Sequence, residues 1–256
     1  ASHRRGKLTP STPEKRPTVD HSIIDTLARL IAFPTISRQS NLALLDYVEG
    51  LLAPAGARIE RFSYDDGSRA NLWATIGPEG PGGVVLSGHS DVVPVEGQNW
   101  SSDPFGLRRG GEHLYGRGTA DMKGFVAVAI HAMLRAANAP LKRPLHLAVS
   151  CDEEVGCLGV RPMVEGLARR ADRPAFCLIG EPTGMRIANG HKGKIALRAC
   201  CHGREGHSAL APHALNALHL GAEFIGRLQA RQEEIEAHGL RDDAYDIPYT
   251  TIHAGL

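Results

Sequence analysis

The 256-residue sequence is short of several things, and each shortage excludes a class of function. Aromatic residues make up only 5%. They are not interleaved with basic residues, as stacking on a single-stranded nucleic acid requires. Net charge is nearly absent: 29 Lys and Arg face 28 Asp and Glu, for +1. A dedicated nucleic-acid binder carries a marked basic excess. What surplus there is sits in residues 1–17, where Arg4, Arg5, Lys7, Lys15 and Arg16 face Glu14, leaving the rest of the chain at −3. No apolar run approaches the ~20 residues that span a bilayer. No apolar stretch follows the amino-terminal charges, which argues against a secretory signal. The five cysteines, Cys151, Cys157, Cys177, Cys200 and Cys201, are odd in number and lack CxxC spacing. They read as reduced cytoplasmic thiols, not as a disulfide frame or a zinc knuckle. HExxH, GxSxG and GxxxxGK are all missing, and with them the mechanisms they carry.

What is present has a clear order. Residues 1–17 are polar and basic, with three prolines, and are expected to be a disordered tail. Helical periodicity starts at Asp20, a candidate cap, and places Ile23, Leu27, Leu30 and Ile31 on one face. A second helix is expected over 41–52. Strand-like runs follow at 57–63, 70–76 and 84–91, then a helix over 122–137, a strand at 145–151, a helix near 160–168 and a strand at 175–180. Strands alternating with helices predict a layered α/β domain over residues 18–188. From residue 189 the texture changes. Residues 194–203 alternate like a strand, residues 214–237 are an amphipathic helix, and the segment from 249 is strand-like again. This predicts the opening of a smaller α+β domain over 189–256.

Three apolar strands end in potential metal ligands. His89 and Asp91 follow the first, Cys151, Asp152, Glu153 and Glu154 the second, and Glu181 the third. Ligands of open α/β sheets gather beyond the carboxyl ends of the strands. Asp121, at the start of the 122–137 helix, is a fourth contributor. Singly, each has a bland reading as a helix cap, a solvated turn or a loop histidine; together they predict one metal site. His89, Asp121, Glu154 and Glu181 suit zinc, although cobalt or manganese would fit the same ligands. Four ligands so rich in carboxylate suggest two ions about 3.5–4 Å apart, acidifying a water between them. Glu153 is placed to take that water's proton as general base. Asp91 is placed to accept the imidazole N–H of His89 and orient it. Cys151 is a poor nucleophile, because neighbouring carboxylates raise a thiol's pKa.

These motifs resemble the co-catalytic zinc aminoacylase and deacylase family. The matching strings are SGHSDVVP at 87–94, WSSDPF at 100–105, YGRGTADMKG at 115–124, CDEEVG at 151–156, GEPT at 180–183 and GREGHSALAPHALNA at 203–217. The resemblance runs from about residue 22 to 256. It implies a zinc-exopeptidase-like catalytic domain, with a mixed twisted sheet and helices on both faces. A ferredoxin-like lid, or dimerisation, domain would follow. It assigns His89 and Glu181 to one zinc, Glu154 to the second and Asp121 to both, with a cis peptide from Asp121 to Met122. It makes Glu153 the general base, with Asp91 orienting His89. His207 would reach into the site of a partner subunit and hold the developing oxyanion; its bland alternative is a helix-entry residue. The looser strings NLWATIGP at 71–78, NGHKG at 189–193 and DIPYTTIHAG at 246–255 resemble the acetylornithine deacetylase branch. The implied reaction is release of acetate from N-acetyl-L-ornithine, in arginine synthesis, by a cytoplasmic homodimer.

The family also needs a final histidine on the second zinc, near its carboxyl terminus, and His253 does not occupy that place. The sequence is therefore expected to be the amino-terminal part of a longer enzyme. Desuccinylases and other N-acyl-amino-acid hydrolases share the metal site and are alternative readings. A shortened, non-catalytic binding or dimerisation module is an alternative of another class. No nucleic-acid or membrane partner is expected.

Overall fold

A computed structural model describes residues 22–255. The tail expected over 1–17 and the Asp20 cap lie outside them. The described residues divide into two compact units, one up to residue 188 and the other from residue 189.

The first unit opens with α1 (Ile23–Ile31). Its cap is Ser22: the hydroxyl accepts from the Asp25 N–H, and the Asp25 carboxylate accepts from the Ser22 N–H. That reciprocal box satisfies two amide donors that no helical carbonyl can reach. Then follow α2 (Leu42–Leu52), β1 (Arg58–Tyr64), β2 (Arg69–Ile76), β3 (Val84–His89), β4 (Arg108–Gly110), β5 (His113–Tyr115), α3 (Lys123–Ala136), β6 (Leu145–Ser150), α4 (Arg161–Ala168) and β7 (Phe176–Ile179).

Five strands form one mixed sheet in the order β1-β2-β6-β3-β7. β2 pairs antiparallel with both β1 and β6, whereas β6, β3 and β7 are mutually parallel. β2 is buried along its whole length because both of its faces are covered. Side chains alternate across a strand. Leu72, Ala74 and Ile76 of β2 therefore join Leu147 and Val149 of β6 in the larger core, with α1, α2 and α3. Trp73 and Ala148 point the other way and meet Met163 of α4. Helices thus cover both faces, as expected of the catalytic fold.

The parallel register sets His89 beside Ser150, and Ser87 beside Ile179. The carboxyl ends of β6, β3 and β7 consequently open on one edge of the sheet. Past β7, Gly180 donates to the Ser87 carbonyl at 3.1 Å. A Cβ there would lie 1.9 Å from the Phe125 ring, so only glycine lets α3 and β7 approach this closely.

The second unit holds a short 3-10 helix (Ser208–His213) and the long α5 (Ala217–His238), capped by the Asn216 side chain. Here the structure corrects the expectation. Residues 194–203 and 249–255 are not strands, and the one pairing among the described residues of this unit is an isolated bridge between Arg204 and Leu215. Ile195 and Leu197 are 85% and 92% exposed. Alternation specifies a half-buried strand only where a neighbouring strand completes the ladder. A second difference is the β4–β5 hairpin, two three-residue strands too short to stand out in the Gly-rich run at 110–118. No helix among the described residues is long and apolar enough to cross a membrane.

Candidate metal centre

His89, the last residue of β3, is the buried floor of the site, with 1% of its side chain exposed. Its Nδ1 lies 2.8 Å from the main-chain carbonyl of Asp91. A carbonyl only accepts, so Nδ1 carries the hydrogen and the lone pair of the neutral ring sits on Nε2. Facing Nε2 are Asp121 Oδ1 at 3.1 Å, Glu153 Oε2 at 3.9 Å and Glu181 Oε1 at 3.9 Å. These carboxylates are half-exposed, so the cluster is open on one side.

Two ligand sets converge on this imidazole. Donor atoms of His89, Glu153 and Glu181 lie within 4.8 Å of one another, as do those of His89, Asp121 and Glu154. All five residues expected at the cluster are therefore brought together, from the ends of three strands and the start of α3. The peptide from Asp121 to Met122 is cis.

Asp91 meets the ring through its main-chain carbonyl and not through its carboxylate, the group expected to accept the imidazole N–H. Its carboxylate is 3.5 Å from Nδ1 and is spent elsewhere. It accepts from the Glu153 N–H at 3.0 Å, the Glu154 N–H at 3.3 Å and the Ser37 hydroxyl at 2.8 Å. Buried at the root of the site, it pins the turn that carries both glutamates. His207 belongs to the second unit, where its Nδ1 accepts from the Ala209 N–H at 3.1 Å and caps the 3-10 helix.

The electrostatics point to a cation. Burial raises the Glu181 carboxyl, the nearby imidazole of His89 opposes the rise, and Asp121 and Glu153 add to it; the result is about 7. Burial, then Asp121, likewise pushes Glu154 up. Burial lowers the His89 pKa, but the carboxylates of Asp91, Glu181 and Glu153 outweigh it and hold the imidazole above its usual range. Crowded acids that retain protons, around an imidazole that gains one, form a site short of positive charge. An imidazole and carboxylate oxygens are ordinary ligands for zinc, manganese or cobalt, so the donor set fits a divalent ion. Cys151 is no nucleophile: burial, then Asp152 and Asp91, push its thiol up to about 12.

Several residues near the cluster were not singled out from the sequence. Lys123 is fully buried, and its Nζ donates to the Phe33 carbonyl at 2.7 Å. Burial brings this ammonium down to about 7, against the pull of Asp91. Its signal was available: Lys123 falls on the apolar stripe of α3 with Val126, Ala127 and Ile130. Cys157 donates its S–H to Glu153 Oε1 at 3.3 Å. Ser37 and Arg69 come from distant parts of the chain, and no local pattern marks them, whereas Asp152, a candidate ligand by its place after β6, turns its carboxylate to Arg38 and Arg69 and is in neither ligand set.

Comparison with known proteins gives matches in sequence and in fold. Residues 85–248 match the peptidase family M20/M25/M40. The acetylornithine deacetylases of Yersinia pestis and Pasteurella multocida are 37% and 36% identical over 243 and 242 residues, in each case 91% of this chain. The chain spans 61% and 62% of the length of those two relatives. Among solved structures, an M20 family metallo-carboxypeptidase from Sulfolobus solfataricus aligns over 62% of this chain and 37% of its own, at TM-score 0.53 and 21% identity. Human carnosine dipeptidase 1 aligns over 61% and 38%, at TM-score 0.50 and 24% identity. At such identities these two speak for the fold alone.

Proposed function

Because the chain belongs to peptidase family M20/M25/M40, we propose that it is the metal-binding portion of a cytoplasmic amide hydrolase that removes the acyl group of an N-acyl amino acid. The observation that carries this reading is the convergence of Asp121, Glu153, Glu154 and Glu181 on a single imidazole, that of the buried His89. Two zinc ions are the loading we favour, held by His89, Asp121, Glu154 and Glu181. When bound, they supply the positive charge that acidifies a water and polarises the amide carbonyl. Glu153 takes the proton of that water as its oxygen bonds to the carbonyl carbon. As the carbon–nitrogen bond breaks, Glu153 passes the proton to the leaving nitrogen. The products are a carboxylate and an amine. Asp91 keeps Glu153 and Glu154 in place throughout. On the strength of the GHSALAP match, His207 serves as a donor to the developing oxyanion, supplied across a homodimer.

N-acetyl-L-ornithine is the favoured substrate, because the named relatives at 36–37% identity are acetylornithine deacetylases. The test compares hydrolysis of acetyl-ornithine, succinyl-diaminopimelate and acetyl-methionine by the full-length enzyme. A strong preference for either of the last two overturns this choice of substrate. Glu153→Gln should keep the metal and lose about 10²–10⁴-fold in kcat. Turnover within a few-fold of the parent removes Glu153 as the base. Asp121→Ala should lose both ions together.

A further inference from the structure

One buried ion pair stands outside the cluster and beside it in sequence. Asp152, between Cys151 and Glu153, has 3% of its side chain exposed. Its φ is +51°, left-handed for a residue with a Cβ. Such a conformation persists only where the surroundings enforce it. Here both carboxylate oxygens are anchored. Oδ1 accepts from the Arg38 N–H at 2.7 Å, and Arg38 is itself left-handed at φ +71°. Oδ2 accepts from Nη1 of Arg69, at the start of β2. Arg69 is held in turn: Nη2 donates to Asp65, and the guanidinium lies 5.1 Å from the centre of the Tyr64 ring.

The turn that follows β6 is therefore gripped from two sides. Asp91 takes the main-chain N–H groups of Glu153 and Glu154, and Arg69 with Arg38 takes the side chain of Asp152. The Asp152 carbonyl closes the turn by accepting from the Leu158 N–H at 3.1 Å. A buried ion pair is weak evidence for added stability, because an apolar pair of similar volume often serves as well. What a guanidinium supplies and an apolar side chain cannot is direction, through a rigid planar fork, here with Nη1 on Asp152 and Nη2 on Asp65. That direction passes to the next two residues, Glu153 and Glu154, which face the cluster.

We infer that Arg69 and Asp152 are positioning residues, and that the fork of Arg69, acting through the Asp152 carboxylate, aims Glu153 and Glu154 at the metal centre. This rests on the amide-hydrolase reading for its kinetic consequence, but not for its structural one. Arg69→Met alone leaves the Asp152 charge buried without its cation, and Asp152→Asn alone sets amide hydrogens against the guanidinium. Both singles should lose stability. The double variant removes both charges and should melt within a few degrees of the parent.

The experiment uses the metal-loaded full-length enzyme and reads melting temperature, main-chain hydrogen exchange and kcat against KM. The double variant should exchange the Glu153 and Glu154 amides at least about tenfold faster than the parent, with amides of β2 and β6 unchanged. Its kcat should fall about 10–100-fold, as expected for a group misplaced by less than about 1 Å, with KM within about threefold. A stable double variant with parental exchange and parental kcat overturns the inference, since the pair would then be structural only. Should the double variant not fold, Asp65→Ala replaces it. Asp65 is exposed, and its removal frees the outer end of Arg69 without stranding a buried charge. It should speed exchange at the same two amides at least about threefold; parental exchange there overturns the inference equally. A parent enzyme that hydrolyses no acyl amino acid sinks the functional reading instead. The exchange measurement needs no substrate and still decides the role of Arg69.

Discussion

Asp91 and Glu153, 62 residues apart in sequence, are joined by a hydrogen bond from the Glu153 main-chain N–H to Asp91 Oδ1 at 3.0 Å. The end of β3 and the end of β6 are thereby locked at the point where each hands a side chain to the cluster. Asp91 does this while its carbonyl fixes the hydrogen on His89 Nδ1. One residue thus sets the ring on one strand and the glutamates on the next.

Removing that carboxylate should be felt in metal binding before it is felt in folding. Asp91→Ala leaves the Glu153 and Glu154 N–H groups without their acceptor and frees the turn, while the carbonyl bond to His89 survives. Metal affinity should fall about 10–100-fold, the usual cost of losing a group that supports a ligand. Asp91→Asn keeps one acceptor oxygen and should fall between the variant and the parent. Competition with a chelator of known affinity measures both. Parental affinity in Asp91→Ala would mean that the turn holds itself.

The metal-free and metal-loaded proteins should respond to pH in opposite senses. Without metal, Glu181 keeps its proton up to about 7, whereas an unfolded glutamate loses it near 4.5. Between those values the folded state binds more protons than the unfolded one. Stability of the metal-free protein should therefore fall as pH rises from about 4.5 through about 7. A bound cation takes the place of the proton, and its affinity grows as the carboxylates ionise. The melting-temperature difference between loaded and chelated protein should widen over that window. A difference that stays flat would show that the cluster is not where the metal binds.

The parts of this protein that were legible in sequence are those with a local period. β3, β6 and β7 are short apolar runs bounded by turn residues, and each ends where its candidate ligands begin; a strand end plus a His or a Glu is visible without any partner. α1 and α3 follow from i, i+3, i+4 spacing. What was not legible depends on meetings at a distance. Arg69 and Asp152 are 83 residues apart, and nothing in either neighbourhood shows that they pair. Ser37 reads as an ordinary loop serine until β3 brings Asp91 beside it. Residues 194–203 have the alternation of a strand but no ladder among the described residues, so the pattern was present and the structure was not. Gly180 could be read as a turn; that it is a packing contact with Phe125 needed both α3 and β7.

The Gly180 contact predicts its own outcome. A Cβ at Gly180 would lie 1.9–2.3 Å from three Phe125 ring atoms, a clash that neither β7 nor α3 can relieve without moving. Gly180→Ala should destabilise the protein by about 1–3 kcal/mol, the usual cost of overpacking. The displacement falls one residue before Glu181, so metal affinity should drop with stability. Adding Phe125→Leu makes room and should recover part of both. A Gly180→Ala protein that melts with the parent would place the ring elsewhere.

On the opposite face of the sheet, His146 predicts a pH dependence that owes nothing to metal. Its ring stacks 4.7 Å from Trp73, Nδ1 lies 2.9 Å from the Thr75 hydroxyl, and Nε2 is buried with no partner among the described residues. Burial lowers its pKa; Asp172 opposes the shift, and Arg58 and Arg170 add to it. The charged ring carries a hydrogen on both nitrogens, and the one on Nε2 has no acceptor among the described residues. The unfolded chain titrates near 6.5 and the folded one below that. Over the interval between them the unfolded state binds more protons, so this contribution is complete above about 6.5 and is lost as pH falls. One such group gives a slope of at most about 1.4 kcal/mol per pH unit. His146→Asn retains a hydrogen-bonding group for Thr75 and cannot titrate. Denaturant unfolding between pH 7.5 and 5.5 should show the parent losing stability faster than the variant as pH falls. Parallel lines for the two proteins would mean that His146 is protonated as easily folded as unfolded, and that its burial beside Trp73 carries no electrostatic cost.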